Sequence, residues 1–135
     1  MAGYSETPLA KKLGIKAGFR IRLINTPEYY FKLFSDFPVE VKIIKAKSSE
    51  IDFIHYFTTK AEVLTHDLLS LKKQLHPNGM IWVSWYKKSA KIPTDVTEDL
   101  IRNTALKNGL VDIKVCAVDE LWSGLKLVIP IKDRK

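Results

Sequence analysis

Two lysines followed by a predicted helix start form the arrangement best suited to bind an anion. Lys87 and Lys88 end an apolar, aromatic stretch, and Thr94, Asp95 and Thr97 stand where the next helix is predicted to begin. A helix N-terminus presents free backbone amides and a partial positive charge, which two ammonium groups would reinforce. The pattern predicts a site for a phosphate- or carboxylate-bearing ligand beyond this stretch.

A structural role explains the same residues, and the sequence favours it. Thr94 or Asp95 is suited to cap the helix, and Glu98 would complete a capping box with Asp95 while the lysines stay solvated. The two carboxylates would also repel an anion. Both interpretations stay open at the level of sequence.

Large aromatic side chains provide the other candidate contacts. Trp82 and Trp85 fall on opposite faces of a predicted strand, whereas Trp122 falls in a predicted turn, where a core role explains it less readily. Core packing accounts for all three, and Trp122 could instead border a pocket. Trp85, Trp122 and Asn25, which ends the first predicted strand, complete the set of predicted ligand contacts.

No metal site and no catalytic residue is predicted. His55, His66 and His76 lack the spacing of metal ligands, and Cys116 has no second cysteine. The acidic and basic residues of the last two strands are expected to form a cross-strand ion-pair ladder.

Composition limits the function classes. A net charge of +7 allows binding to nucleic acid through general basicity, but the basic residues are scattered and no recognition module supports it. No apolar run approaches the ~20 residues of a membrane helix, and Met1 to Ser5 lack the apolar stretch of a signal peptide. With 135 residues and one cysteine, we expect one cytoplasmic domain spanning 1–135.

The predicted elements alternate between strands and helices. Strands are predicted at 19–25, 39–44, 51–57, 80–85, 110–118 and 125–130, and helices at 7–14, 28–34, 58–75 and 95–107. Such alternation predicts a mostly parallel sheet of about six strands with helices on both faces, ending in an antiparallel hairpin. The expected fold is a Rossmann-like α/β domain.

The second half resembles the back half of a class I methyltransferase. The strand Ile51 to Ile54, the turn Pro77-Asn78-Gly79 before the next strand, and the hairpin from Val111 to Val128 follow that family's order. The first half departs from it, because Pro27, Tyr29 and Tyr30 occupy the loop where the family has glycines. S-adenosylmethionine binding in the family's manner is therefore not expected, and no other cofactor is predicted.

A second resemblance spans nearly the whole chain. Segments 3–16, 82–88, 94–98 and 111–126 are similar to a small family of uncharacterised bacterial proteins, classed as a domain of unknown function. The resemblance implies a bacterial origin and a solitary domain but no activity. The preferred interpretation is a non-catalytic module that binds a small ligand or a protein. The alternatives are a small enzyme acting on an anionic substrate near Lys87, Lys88 and Thr94, and a weak nucleic-acid binder; a homodimer stays open.

Overall fold

The computed structural model describes residues 7–134, and every structural statement below concerns that part of the chain. Met1 to Ser5, which entered the predictions above, lie outside the described residues. Nine elements position the site. They are α1 (Leu9–Leu13), β1 (Arg20–Ile24), β2 (Lys42–Ile43), β3 (Ile51–Phe57), α2 (Leu64–Gln74), β4 (Leu75–Tyr86), α3 (Glu98–Lys107), β5 (Val111–Ala117) and β6 (Trp122–Val128).

The six strands form one sheet in the order β2-β1-β3-β4-β6-β5. Strands β1 to β4 run parallel to one another, and β6 runs antiparallel to both β4 and β5. This confirms the predicted Rossmann-like α/β architecture with a closing hairpin. None of the described helices is long and apolar enough to cross a membrane.

Both faces of the sheet are covered, as the apolar runs of the central strands predict. Helices α2 and α3 lie on one face, where Leu68 and Ile101 are fully buried. On the other face α1 lies against the sheet, and the Trp82 indole N–H donates to the Leu13 carbonyl oxygen over 2.8 Å. Gly14 ends α1 at φ +87°, as predicted, because only glycine adopts that conformation without strain.

Three local predictions are wrong. The helix predicted at 28–34 is a single 3-10 turn, Tyr30–Leu33. The buried Tyr30 ring packs edge-on against Phe34, so the packing of this ring, rather than a helical repeat of apolar residues, determines the conformation of the segment. The strand predicted at 39–44 shortens to Lys42–Ile43. Trp122 does not lie in a turn but begins β6, paired with Tyr86.

The expected ion-pair ladder of the hairpin is also wrong. A register shift between Asp112 and Lys114 brings Lys114 directly opposite Lys126. Asp112 instead accepts a hydrogen bond from Arg102 of α3 over 3.0 Å. The irregularity separates the acid from the lysines, which a strictly alternating strand would have kept on one face.

Candidate functional site

A cavity of about 460 Å³ opens at the edge where the parallel strands end. Asn25 follows β1, Thr58 follows β3, and Tyr86 ends β4, while the antiparallel β6 begins there with Trp122. We call it the carboxyl-edge cavity. Its lining consists of Asn25, Pro27, Tyr29, Phe57, Thr58, Thr59, Lys60, Val63, Tyr86, Leu121 and Trp122. In open α/β sheets this edge is where ligands bind.

One wall of the cavity is a pair of stacked aromatic rings. The Tyr86 and Trp122 rings lie 3.9 Å apart between centroids, at 25° to each other. Phe57 packs edge-on against Trp122 at 4.9 Å. Because β4 and β6 pair through these residues and Trp122 is only 6% exposed, the wall is held by the sheet itself.

The loop after β1 contributes further residues to the lining. Asn25 adopts φ +59°, the left-handed conformation that favours glycine, and its Nδ2 donates to the Phe57 carbonyl oxygen over 3.2 Å. Pro27 and Tyr29 follow and line the cavity. Burial and the nearby Asp119 carboxylate raise the pKa of Tyr29, so its hydroxyl is protonated at neutral pH.

A sealed polar group lies under the cavity floor. The His55 ring stacks on Phe57 with 4.3 Å between centroids and is fully buried. Burial lowers the pKa of His55 to about 3. The imidazole is therefore neutral at physiological pH, and no solvent path reaches it.

The predicted anion-binding residues line a second cavity, of about 700 Å³, which we call the lysine cavity. The structure brings four of the six predicted contacts together here: Trp85, Lys87, Lys88 and Thr94. The other two, Asn25 and Trp122, line the carboxyl-edge cavity, and Tyr86 borders both. Glu98 and Asp99 also line the lysine cavity, so its charges are of both signs.

Thr94 and Asp95, in the connector before α3, are hydrogen-bonded to the loop that precedes α2. The Thr94 hydroxyl donates to the Thr59 carbonyl oxygen over 3.0 Å and accepts from the Val96 N–H. Asp95 accepts from the Ala61 N–H over 2.7 Å. These contacts tie the connector to the loop that precedes α2.

Helix α3 begins later than the sequence predicts. The N-cap of α3 is Thr97, whose hydroxyl oxygen accepts from the Leu100 N–H over 3.2 Å, rather than Thr94 or Asp95. The capping box of Asp95 with Glu98 is therefore wrong. Glu98 instead pairs with Arg102, four residues further along the helix.

Sequence reasoning missed nine of the eleven residues that line the carboxyl-edge cavity. Tyr29, Lys60 and Tyr86 were not among the predicted contacts, although each comes shortly after or at the end of a parallel strand. That position was the available signal, since the carboxyl ends of parallel strands meet at one edge. No cluster of three or more potential metal ligands occurs among residues 7–134.

Comparisons with known proteins show the fold class. No family model matches the sequence, and no curated protein matches it. A candidate type 11 methyltransferase from Sulfolobus solfataricus has a similar structure, with a TM-score of 0.64 and 14% identity over 90% of this chain and 89% of that one. A SAM-dependent methyltransferase from Aquifex aeolicus has a TM-score of 0.61 and 16% identity, over 89% of this chain and 87% of that one.

A third structure is similar over nearly the whole length of both chains. The TehB-like SAM-dependent methyltransferase from Corynebacterium glutamicum gives a TM-score of 0.56 at 11% identity, over 95% of this chain and 90% of that one. The chain has the fold of the class I SAM-dependent methyltransferases. At these identities the likeness concerns the fold alone, and the resemblance to a small bacterial family stays a prediction.

Proposed function

We propose that this protein is a non-catalytic binding module that holds a small, flat ligand in the carboxyl-edge cavity. The observation that carries the proposal is the convergence of three aromatic rings, those of Tyr29, Tyr86 and Trp122, around a cavity of about 460 Å³. Sites for small molecules typically have volumes of about 300–1,000 Å³ and mostly apolar walls with few polar groups. A heteroaromatic ring such as a nucleobase fits this lining.

The polar groups of the cavity favour an anionic substituent on that ring. Lys60 is exposed at the mouth and supplies the positive charge of the lining. The Asn25 Nδ2 donates to the Phe57 carbonyl oxygen over 3.2 Å, so the amide offers its Oδ1 as an acceptor for a donor group on the ring rather than for the anion. A planar ring bearing a phosphate or carboxylate is the ligand class that we propose.

The titration behaviour of the site supports a binding role rather than acid–base catalysis. Tyr29 has a raised pKa and is a weak base as the neutral phenol. His55 is neutral but sealed beneath Phe57, and its lowered pKa makes it a poor proton acceptor. We also propose that the ligand is not S-adenosylmethionine, because Pro27 and Tyr29 occupy the loop where the similar fold family carries glycines.

An NMR titration with indole N–H detection tests the proposal. Adenosine, adenosine monophosphate and S-adenosylmethionine would be added separately to the labelled protein. The Trp122 indole resonance is expected to shift with the monophosphate, while that of Trp82, whose N–H is bonded to Leu13, stays fixed. Lys60→Gln should weaken the response, and Lys107→Gln, an exposed lysine outside the lining, should not.

Two results would contradict the proposal in different ways. No movement of the Trp122 resonance with any of the three compounds would contradict a ligand site in this cavity. Transfer of a methyl group from S-adenosylmethionine to an acceptor, lost in Tyr29→Leu, would contradict the non-catalytic role and restore the enzyme alternative.

A further inference from the structure

A separate cavity of about 290 Å³ lies on the other side of β1, between that strand and α2. We call it the β1–α2 cavity. Its floor comes from Arg22 and Ile24, one wall from α2, and the other from Lys47 in the segment after β2. Its full lining is Arg22, Ile24, Asn25, Lys47, Tyr56, His66, Asp67, Ser70, Leu71 and Gln74.

A guanidinium group in this cavity lacks a counter-ion. Arg22 is half-buried, and its Nε is buried without a hydrogen-bond partner among the described residues. None of the ion pairs among residues 7–134 includes it. Arg20, two residues earlier, also has an unpartnered Nε but donates through Nη2 to Ser48 and Ser49. Arg22 is therefore the arginine that the fold leaves open to an anion.

A second buried group at the cavity also lacks a partner. Gln74 is only 4% exposed, and its Nε2 donates to the Ser70 carbonyl oxygen over 3.2 Å. Because a carbonyl can only accept, this bond fixes the orientation of the amide, and Oε1 has no partner among the described residues. Buried polar groups in native proteins are normally hydrogen-bonded, so two orphans at one cavity point to a missing partner.

The charges of the lining restrict where an anion can sit. Arg22 and Lys47 are cationic, whereas Asp67 is acidic and accepts a hydrogen bond from the Tyr56 hydroxyl over 2.5 Å. An anion is attracted to the first two and repelled by the third. An adjoining surface depression shares Lys47, His66, Ser70 and Gln74 with the cavity, and Lys73 adds a further positive charge there.

We propose that the β1–α2 cavity binds the oxyanion of a small molecule, a phosphate or a carboxylate, on Arg22 and Lys47. A planar guanidinium matches two oxygens of either group, and a neighbouring ammonium adds a point charge. A ligand with a hydrogen-bond donor beside the oxyanion also satisfies Gln74 Oε1. The β1–α2 cavity shares only Asn25 with the lining of the carboxyl-edge cavity. This proposal therefore does not depend on the proposed function.

Arginine Nε–H resonances provide a direct test. Inorganic phosphate and, separately, acetate would be titrated into the labelled protein at constant ionic strength. The Arg22 resonance is expected to shift saturably. Those of Arg102 and Arg134 serve as internal controls, because their Nε–H groups already donate to Asp112 and to the Ile129 carbonyl oxygen. A response to acetate as well as phosphate shows that any oxyanion suffices, and a response to phosphate alone identifies a phosphate site.

An exposed variant separates binding from folding. Lys47→Gln removes a charge from an exposed side chain, so the fold is retained, and it should weaken the Arg22 response several-fold. Lys45→Gln, an exposed lysine outside the lining, is the matched control. An Arg22 resonance that does not move, that moves no more than Arg102, or that is unaffected by Lys47→Gln overturns the proposal.

Discussion

The His55 Nε2 lies 2.8 Å from the Ser84 hydroxyl oxygen, between the neighbouring strands β3 and β4, and both side chains are fully buried. On the other side of the ring, His55 Nδ1 lies 2.9 Å from the Tyr30 hydroxyl. The neutral imidazole has one donor and one acceptor nitrogen, so the two hydroxyls satisfy it completely. This chain of hydrogen bonds joins the loop after β1 to the centre of the sheet.

The buried histidine should make stability depend on pH. Its pKa is about 3 in the folded protein against 6.5 for a free side chain, so only the unfolded chain takes up the proton between these values. Stability from this group is complete above pH 6.5 and is lost progressively as the pH drops toward 3. Urea unfolding across that range measures the slope.

A variant without the imidazole isolates this contribution. His55→Gln should be less stable at neutral pH but should lose less stability on acidification, because it has no imidazole to protonate on unfolding. Some loss remains, since the carboxylates titrate in both proteins. Equal slopes for the two proteins would show that His55 is not the group responsible.

Removal of the Tyr30 hydroxyl should destabilise the protein by about 1–3 kcal/mol, because it leaves a buried ring nitrogen unsatisfied. The change is Tyr30→Phe, which keeps the ring contacts, and the measurement is the free energy of unfolding in urea. Tyr86→Phe is the matched control, because Tyr86 is half-buried and its hydroxyl has no hydrogen bond among the described residues. A cost below about 0.5 kcal/mol for both variants would contradict the hydrogen bond to His55.

Gly79 should not tolerate a side chain. A Cβ at this position would lie 2.7 Å from the Ile51 carbonyl oxygen and 2.8 Å from Leu75 Cδ1, closer than carbon atoms approach in proteins. Gly79→Ala is expected to cost about 1–3 kcal/mol through this overlap. Asn78→Ala, at the exposed neighbouring position, should be near neutral, and thermal unfolding of both variants checks the difference.

Asp36 should stabilise the first helix from a distance in sequence. Its two carboxylate oxygens accept from the Ala10 and Lys11 N–H groups, each over 3.0 Å. Asp36→Ala is expected to cost about 0.5–2 kcal/mol, and Asp36→Asn, which keeps one acceptor oxygen, should cost less. Amide hydrogen exchange of α1 provides the local readout, and unchanged protection in Asp36→Ala would disprove the cap.

The central strands were predictable because burial on both faces leaves a continuous apolar run. Strand β3 has its predicted bounds, Ile51–Phe57, and β4 contains the predicted strand at 80–85. The closing hairpin followed from two apolar runs separated by a turn. Its register did not, because the apolar pattern does not mark the shift between Asp112 and Lys114, where Asp112 accepts a hydrogen bond from Arg102.

Long-range contacts determine the parts that sequence reasoning placed wrongly. The α3 start depends on Asp95 being bonded to Ala61, which leaves Thr97 to cap the helix. The segment after β1 folds around the buried Tyr30 ring instead of a helical axis. The predicted contacts are divided between two cavities because Trp85 packs on one face of the sheet and Trp122 on the other.

Asn25 lines both the carboxyl-edge cavity and the β1–α2 cavity, at a left-handed turn of the backbone. Ligands in the two cavities would both contact this residue, which is where any coupling between the two binding events would arise. Such coupling is reciprocal, so the factor by which phosphate alters the affinity for a flat ligand must equal the factor in the opposite direction. Asn25, at the end of β1, would thus connect two binding sites for different ligands.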